Sequence, residues 1–285
     1  MFKDVKSRVW AFDCEWVPDP VAGRLLYGIE DSVGDPEEVV RLMWGKGGAT
    51  EEDPTPFLKT VLCRVVSVAA VERREDADGT VHVSLVSLPR DCDDAEQTTE
   101  QAVVGRFLQA LGERRPQLVG FNSIDSDLRI LVQRGIALGV QAAGFCARPD
   151  KPWEGIDYFA RGSDWNVDLK NIVGGFGKTV PTLNEMAVVC GIPGKMDVDG
   201  NDVAELWLAG ELRRIVDYNE FDALTTYLLW LRVAFFAGKF DAPAYEREQQ
   251  LVRSLVEREL SAKPHLADYL AEWDRLRAGI ERWRV

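Results

Sequence analysis

The stretch "VWAFDCEWVPD" at residues 9–19 decides the fold prediction, because it has the pattern of a buried strand that carries two acids. Side chains alternate between the two faces of a strand, so Asp13 and Glu15 point the same way. The side chains on the opposite face are apolar: Trp10, Phe12 and Cys14. Two like charges beside a core are costly unless a cation, hydrogen bonds or water offset them. Taken alone, the pair is most simply a strand end that emerges into solvent, so the rest of the chain must decide.

Composition indicates an ordinary soluble globular protein. The 285 residues are 46% hydrophobic and 28% charged, which is enough apolar material for a substantial core. No apolar run approaches the roughly 18 residues of a membrane span. The first residues, MFKDVKSRVW, lack the apolar stretch of a signal peptide. We therefore expect a cytoplasmic protein that does not associate with a membrane.

Cysteine, histidine and charge content narrow the function classes. The five cysteines are scattered singly with no C-x-x-C pair, which argues against zinc ribbons and disulfide scaffolds. The two histidines, His82 and His265, are too few and too far apart in sequence to favour a Ser-His-Asp triad or a multi-histidine zinc site. The net charge of −13 argues against a large surface that coats nucleic acid. It is compatible with an enzyme that holds a short strand end through metal ions.

Periodicity and turn signals predict an order of elements that places the remaining motifs. We expect the following elements: a strand at 8–16, a hairpin of 62–75 and 80–89, a helix over 95–113, a strand at 116–122, a helix after it, a short strand at 165–169, a helix over 181–191, helices at about 202–209 and 211–236, and two more that begin at Pro243 and Pro264. Residues 17–60, rich in Gly, Pro and acids, are predicted as a long insertion or loop with one short helix near 36–44. Residues 140–165 are predicted as a loop. This order indicates an α/β protein with an antiparallel component.

Two later stretches resemble the opening one in their acids. "SIDSDLRIL" places Asp125 and Asp127 at the start of a helix, where either aspartate alone is most simply a cap. "IVDYNEFDALTTYLLWLR" places Tyr218 and Asp222 one helical turn apart on the same face. Together with the strand acids, these residues could converge at one edge of a sheet. Four carboxylates around oxygen-preferring cations are what a two-metal phosphodiesterase requires.

These three motifs together resemble the DEDD 3′–5′ exonucleases of the ribonuclease H-like superfamily, in their tyrosine subclass. More closely, the chain resembles stand-alone bacterial proteins similar to the proofreading exonuclease domain of family B DNA polymerases. "FDCEW" at 12–16 stands for the first motif, "GFNSIDSDLRIL" at 120–131 for the second and "YNEFD" at 218–222 for the third. The histidine subclass would need histidine at position 217, where this chain has Asp217. The resemblance runs over roughly residues 8–233.

The resemblance implies a ribonuclease H-like α/β fold, in which a mixed β-sheet with an antiparallel edge from 62–88 is flanked by helices. Residues 1–240 would form the exonuclease domain, with 17–60 as an insertion. Residues 241–285 would form a C-terminal helical extension. That extension is most simply a packed amphipathic helix pair, and a homodimer or a protein partner that binds it is the sharper alternative.

The resemblance also implies a role for each site residue. Asp13 would bridge two divalent metal ions, Mg²⁺ or Mn²⁺. Glu15 and Asp222 would complete the site of the ion near the attacking water, and Asp127 would serve the ion near the leaving 3′-oxygen. Tyr218 would position the water, because its phenol titrates at about 10 and is a poor base at neutral pH.

The second motif departs from the family pattern at one position. Members usually carry Phe before the aspartate, where this chain has Ser126. The spacing from the preceding Gly-Phe-Asn favours Asp127 as the ligand, and Asp125 could assist it. We expect Asn122 and Lys195 to contact the nucleic acid, although a solvated loop lysine is an equally simple interpretation of Lys195.

Two other features are interpreted as structural. "GGFGKT" at 174–179 echoes a phosphate-binding P-loop, but the glycine required five residues before Gly177 is Ile172. We therefore expect a surface loop there. Asp168 in "VDLK" is interpreted as a structural residue rather than a site residue.

We therefore expect a metal-dependent 3′–5′ exonuclease that hydrolyses single-stranded nucleic acid to nucleoside monophosphates. DNA is the favoured substrate and RNA the second, since no residue here locates a contact with a 2′-hydroxyl. The alternative is a catalytically inactive ribonuclease H-like module that binds nucleic acid or protein. The intact site residues argue against that alternative, because an inactive module has no physical need for a repulsive acid cluster.

Overall fold

The sheet is the first feature that positions the candidate site. The computed structural model describes residues 1–151, 153–174, 179–196, 200 and 202–283. Within these residues five strands form one sheet in the order β3-β2-β1-β4-β5. Their bounds are β1 Arg8–Pro18, β2 Cys63–Glu75, β3 Val81–Leu88, β4 Gln117–Gly120 and β5 Asn166–Asp168. β1 is antiparallel to β2 and parallel to β4, so the predicted mixed sheet is confirmed.

Helices cover both faces of this sheet. Those that the described residues form are α1 Pro20–Tyr27, α2 Pro36–Gly47, α3 Glu100–Arg114, α4 Asp127–Ala137, α5 Ala143–Cys146, α6 Leu169–Val173, α7 Leu183–Val189, α8 Val203–Leu208, α9 Leu212–Phe236, α10 Ala242–Glu259 and α11 Leu266–Trp283. In the part of the chain that the structure describes, none of them is long and apolar enough to cross a membrane.

β1 separates two apolar clusters, as its alternating pattern predicts. Val9 and Ala11 lie in the cluster that contains the long helix α9. The alternate residues of the strand pack in the other cluster with α3 and α4: Trp10, Phe12 and Cys14. The predicted division of the "VWAFDCEWVPD" side chains between two faces is therefore confirmed.

The two C-terminal helices pack on the α9 side of the sheet. Tyr245 of α10 and Tyr269 and Trp273 of α11 are buried in the same apolar cluster as α9. The guanidinium of Arg73 on β2 donates two hydrogen bonds from Nε and Nη2 to Oε1 of Glu248 on α10, at 2.9 and 2.6 Å. Much of the apolar face of this helix pair is therefore used inside the molecule. A partner or homodimer at these helices stays a prediction.

The structure differs from the prediction chiefly in residues 17–60. The expected helix near 36–44 is α2, but a second helix, α1, precedes it. The side chain of Asp19 accepts a hydrogen bond from the backbone N–H of Val21, Pro20 occupies the first turn, and Gly28 ends the helix in the left-handed conformation. These are standard signals for the start and the end of a helix, and they are present in the sequence. The prediction of a loop at 20–27 was therefore wrong.

Smaller differences concern element ends and short helices. The helix expected from 95 begins at Glu100, because the Thr99 side chain accepts from the backbone N–H of Ala102 and caps it. The expected loop at 140–165 contains α5, and α6 follows β5 directly. The Gly177-Lys178 pair of the stretch that echoes a P-loop lies outside the described residues.

Candidate active site

Asp13 and Glu15 lie on β1 beyond the point where its parallel neighbour stops. β1 pairs with β4 only from Val9 to Ala11, so the end of β1 is open on that side. A register shift between Glu15 and Trp16 then bends the strand where the acids lie. A rigid strand therefore presents both carboxylates at an open edge of the sheet, on the face that packs against α9.

The second motif reaches this edge through Asp127, the first residue of α4 and only 3% exposed. Its Oδ1 accepts a hydrogen bond of 3.0 Å from the backbone N–H of Cys14, between the two β1 acids. Its Oδ2 accepts a hydrogen bond of 2.9 Å from the hydroxyl of Ser126. The serine that replaces the usual aromatic residue thus contacts the carboxylate directly.

A tight turn between β4 and α4 makes this contact geometrically feasible. A Cβ at Gly120 would lie 2.4 Å from the Cβ of Ser123, so glycine is needed where the chain folds back. Asn122 has a φ of 66°, a left-handed conformation that asparagine tolerates better than most residues. The buried carboxylate of Asp168 on β5 accepts from the backbone N–H groups of Asn122 and Ile124, at 2.9 and 3.1 Å. The interpretation of Asp168 as structural agrees with these contacts.

The third motif comes from α9. The carboxylate oxygens of Asp13, Glu15 and Asp222 lie within 4.8 Å of one another. Tyr218 is 5% exposed, and its hydroxyl is hydrogen-bonded to Asp222. Asn219, which the sequence reasoning missed, donates from Nδ2 to Oδ2 of Asp13 at 2.7 Å. No pattern in the sequence marks this asparagine, since its function depends on a strand far away in the chain.

Burial and mutual repulsion raise the pKa values of the acids. For Asp13, burial is the largest cause, and the negative charges of the neighbouring acids raise its pKa further. Burial likewise raises the pKa of Glu15, followed by repulsion from Asp222. Burial raises the pKa of Asp127 to about 6, although its hydrogen bond from Ser126 acts in the opposite direction. Without a cation, this cluster therefore destabilises its own charged form.

The donor set fits divalent cations that prefer oxygen ligands. Asp13, Glu15 and Asp127 form no ion pair with any lysine, arginine or histidine among the described residues. Carboxylate oxygens are the ligands that Mg²⁺ and Mn²⁺ prefer, and Asp222 adds a fourth carboxylate. A bound cation would reduce both the repulsion and the cost of burying these charges.

A second group of side chains that could ligate a metal lies near the acid cluster, but a lysine already neutralises it. Its members are Asp217, Glu220 and His265, whose carboxylate oxygens and ring nitrogen lie within 4.8 Å of one another. Lys263 forms an ion pair with Glu220, and the ring nitrogens of His265 contact Glu220 and Asp217 at 2.9 and 3.3 Å. These partners lower the pKa of Glu220, the opposite of the shift in the first cluster. This group therefore ties α9 to the C-terminal helices.

The remaining predicted residues lie around the cluster. Asp125 is exposed, and its Oδ1 lies 3.6 Å from Nη2 of Arg129. Assistance of Asp127 by Asp125 stays a prediction. The side chain of Asn122 accepts from Lys170 Nζ at 3.0 Å and so is engaged within its own turn. Lys195 is exposed, and its backbone N–H donates to the side chain of Asn184. Contacts of Asn122 and Lys195 with nucleic acid stay predictions.

Comparison with known families supports the resemblance. A family described as "Predicted 3'-5' exonuclease related to the exonuclease domain of PolB" matches residues 55–273. The chain belongs to this family. The match includes Asp127, Tyr218 and Asp222, whereas Asp13 and Glu15 precede it. It extends beyond residue 233, where we expected the resemblance to end, and so includes all of α10 and the first part of α11.

Similarity to individual proteins is more distant. No curated protein matches the chain. Among solved structures, the family B DNA polymerase from the hyperthermophilic archaeon Pyrobaculum calidifontis is 22% identical, with a TM-score of 0.43. The alignment covers 79% of this chain and 25% of the polymerase, so the chain spans about a quarter of that protein's length.

Proposed function

We propose that the protein is a metal-dependent 3′–5′ exonuclease that hydrolyses single-stranded nucleic acid, DNA in preference to RNA, to nucleoside monophosphates. One observation carries the proposal: Asp13, Glu15, Asp127 and Asp222 converge from three separate elements beside Tyr218. Membership of a family related to a polymerase exonuclease domain supports the direction of hydrolysis.

The four carboxylates are the residues that would hold two divalent cations, Mg²⁺ or Mn²⁺. Such ions, when bound, supply positive charge that stabilises the attacking and leaving oxygens of an in-line phosphoryl displacement. Asp13, whose charge interacts with those of the other three acids, is the residue that the family resemblance implies would be shared. Asp127 reaches the cluster from α4 and Asp222 from α9, and the family resemblance implies that the two would serve different ions.

Tyr218 orients the attacking water rather than removing its proton. Burial and the adjacent carboxylates raise the pKa of this phenol well above its usual value, so it stays protonated at neutral pH. Its O–H is engaged with Asp222, and the lone pairs of its oxygen are left to accept a hydrogen bond from water. In the reaction, water adds to the last phosphodiester and the bond from phosphorus to the 3′-oxygen breaks. The terminal residue leaves as a 5′-monophosphate, and the shortened strand retains a 3′-hydroxyl.

A paired assay tests this proposal. Single-stranded DNA and RNA of one sequence, labelled at the 5′ end, are incubated with the protein and Mg²⁺, with EDTA as the control. We expect a ladder that shortens from the 3′ end, faster for DNA, together with nucleoside 5′-monophosphates. DNA and RNA that both stay at full length would contradict the proposal and favour the inactive binding module.

A further inference from the structure

Asn219 connects the candidate site to the sheet through two hydrogen bonds. Its Nδ2 donates to Oδ2 of Asp13 at 2.7 Å, and its Oδ1 accepts from the hydroxyl of Ser67 at 3.1 Å. Ser67 and Asn219 are both 0% exposed, so water does not compete for these bonds. Ser67 lies on β2 directly opposite Glu15 in the strand pairing. The two residues therefore form a continuous path from β2 through α9 to Asp13.

The Asp13 carboxylate fixes which end of the Asn219 amide faces it, because a carboxylate accepts hydrogen bonds and cannot donate them. A hydroxyl has a single hydrogen to donate, and here Ser67 donates it to the amide oxygen. The reversed amide would point its carbonyl oxygen at the Asp13 carboxylate, which places two acceptors against each other. It would also point its NH₂ group at the serine. The acid thus selects the amide orientation, and the Ser67 hydroxyl, which can donate or accept, holds the amide in place through its oxygen.

We propose that Ser67 and Asn219 are positioning residues, which hold the Asp13 carboxylate in the orientation that divalent cations need. The inference rests on the proposed function, because it concerns the same site. Hydrogen bonds to ligating carboxylates orient the ligand, and their removal typically costs about 10–100-fold in metal affinity.

The adjacent strand supplies a matched control. Ser87 on β3 is also buried and also donates to a residue of α9, the carboxylate of Glu220, at 2.6 Å. Glu220 follows Asn219 directly in the chain, but it contacts Lys263 and His265 instead of the acid cluster. Ser87→Ala therefore removes a comparable serine contact with α9 and leaves the path to Asp13 intact.

The first experiment measures metal binding without nucleic acid. Mn²⁺ is titrated into the metal-free full-length protein by calorimetry for wild type, Ser67→Ala, Asn219→Ala and Ser87→Ala. We expect Ser67→Ala to weaken Mn²⁺ binding about 10-fold and Asn219→Ala about 10–100-fold. We expect Ser87→Ala to stay within about twofold of wild type even where its melting temperature falls.

The second measurement separates positioning from a general loss of structure. In the nuclease assay, Ser67→Ala should raise the Mg²⁺ concentration for half-maximal activity about 10-fold, and saturating Mg²⁺ should restore most of kcat. If wild type binds Mn²⁺ and Ser67→Ala binds it as tightly as Ser87→Ala does, the positioning role is overturned and the proposed function is not. Wild type that binds no Mn²⁺ would instead overturn the proposed function.

Discussion

Asp13, Glu15, Asp127 and Asp222 repel one another in the metal-free protein, and burial adds to the cost of their charges. A structural ion pair would relieve this, as Lys263 does for Glu220 a few residues away. The cluster instead keeps its acids together on rigid elements. This arrangement fits the proposed site, which a cation from solution would complete.

Stability of the metal-free protein should report the cost of burying a charge through Asp127, whose pKa is raised chiefly by burial. The pKa of this carboxyl is about 6, above its ordinary 3.8, so the folded state binds the proton more tightly than the unfolded state does. The free energy of unfolding therefore loses this contribution as the pH rises from 3.8 to about 6. Asp127→Asn removes the charge and keeps the acceptor for Cys14.

We expect Asp127→Asn to be more stable than wild type at pH 7 in EDTA, by about 1–3 kcal/mol, and equally stable near pH 4. Chemical denaturation at both pH values measures the free energy of unfolding of each protein. The difference between wild type and variant at one pH removes the contribution of groups that titrate alike in both. Mg²⁺ should raise the melting temperature of wild type at pH 7 and do so less for the variant. A difference that does not change with pH would contradict the assignment.

Tyr218→Phe isolates the hydroxyl that we assign to the attacking water. We expect kcat to fall about 10–100-fold, less than the loss of a proton-transferring group often causes, while Mn²⁺ affinity changes by less than about twofold. Tyr158→Phe is the matched control, because its hydroxyl is also buried and donates to the backbone oxygen of Pro116 at 2.7 Å. Equal kcat values for the two variants would remove Tyr218 from the reaction.

At the scale of elements, the acids of the first and third motifs could be predicted because each motif lies in one strand or one helix. Strand residues two apart, such as Asp13 and Glu15, share a face, and so do helix residues four apart, such as Tyr218 and Asp222. These directions follow without knowledge of the tertiary fold. Ser67 and Asn219 could not be found in this way, since their partners come from other elements. The helix at 20–27 is hard to predict for another reason: Pro20 and Gly28 are also residues that interrupt regular structure, so they indicate a loop as readily as helix ends.

The turn between β4 and α4 depends on Asp168, which accepts three backbone N–H groups, from Asn122, Ile124 and Lys170. Asp168→Ala leaves these donors without their partner, so we expect the free energy of unfolding to fall by about 2–4 kcal/mol. Since the turn places Asp127, Mn²⁺ binding should weaken as well.

Asp157→Ala is the control for that prediction. Asp157 is buried and accepts from two backbone N–H groups of its own loop, so its removal should also destabilise the protein. Urea denaturation and Mn²⁺ titration measure both effects for each variant. Asp168→Ala with unaltered Mn²⁺ affinity would show that the turn does not position Asp127.

At the scale of the whole molecule, α9 joins the candidate site to the C-terminal helices. The same helix carries Tyr218 and Asp222 at one end and packs against Tyr269 and Trp273 elsewhere. The predicted boundary at 240 thus divides one apolar cluster. The family match crosses the same position.

Deletion of residues 241–285 should therefore abolish cooperative folding rather than release an independent domain. The deletion removes Tyr269, which stacks on the buried Phe221, and Glu248, the buried one of the two carboxylates paired with the Arg73 guanidinium. Removal of the buried partner of a buried charge is strongly destabilising. Calorimetry of the shortened chain measures this, and a cooperative transition within about 5 °C of that of the full chain would support the boundary at 240 instead.

The comparison of wild type with Asp13→Asn in one nuclease assay tests the central claim most directly. Both proteins are purified side by side and incubated with Mg²⁺ and single-stranded DNA labelled at the 5′ end. We predict that wild type shortens the strand from its 3′ end and that Asp13→Asn, folded and at least as stable without metal, leaves it intact. Equal shortening by the two proteins, or no shortening by wild type, would contradict the account.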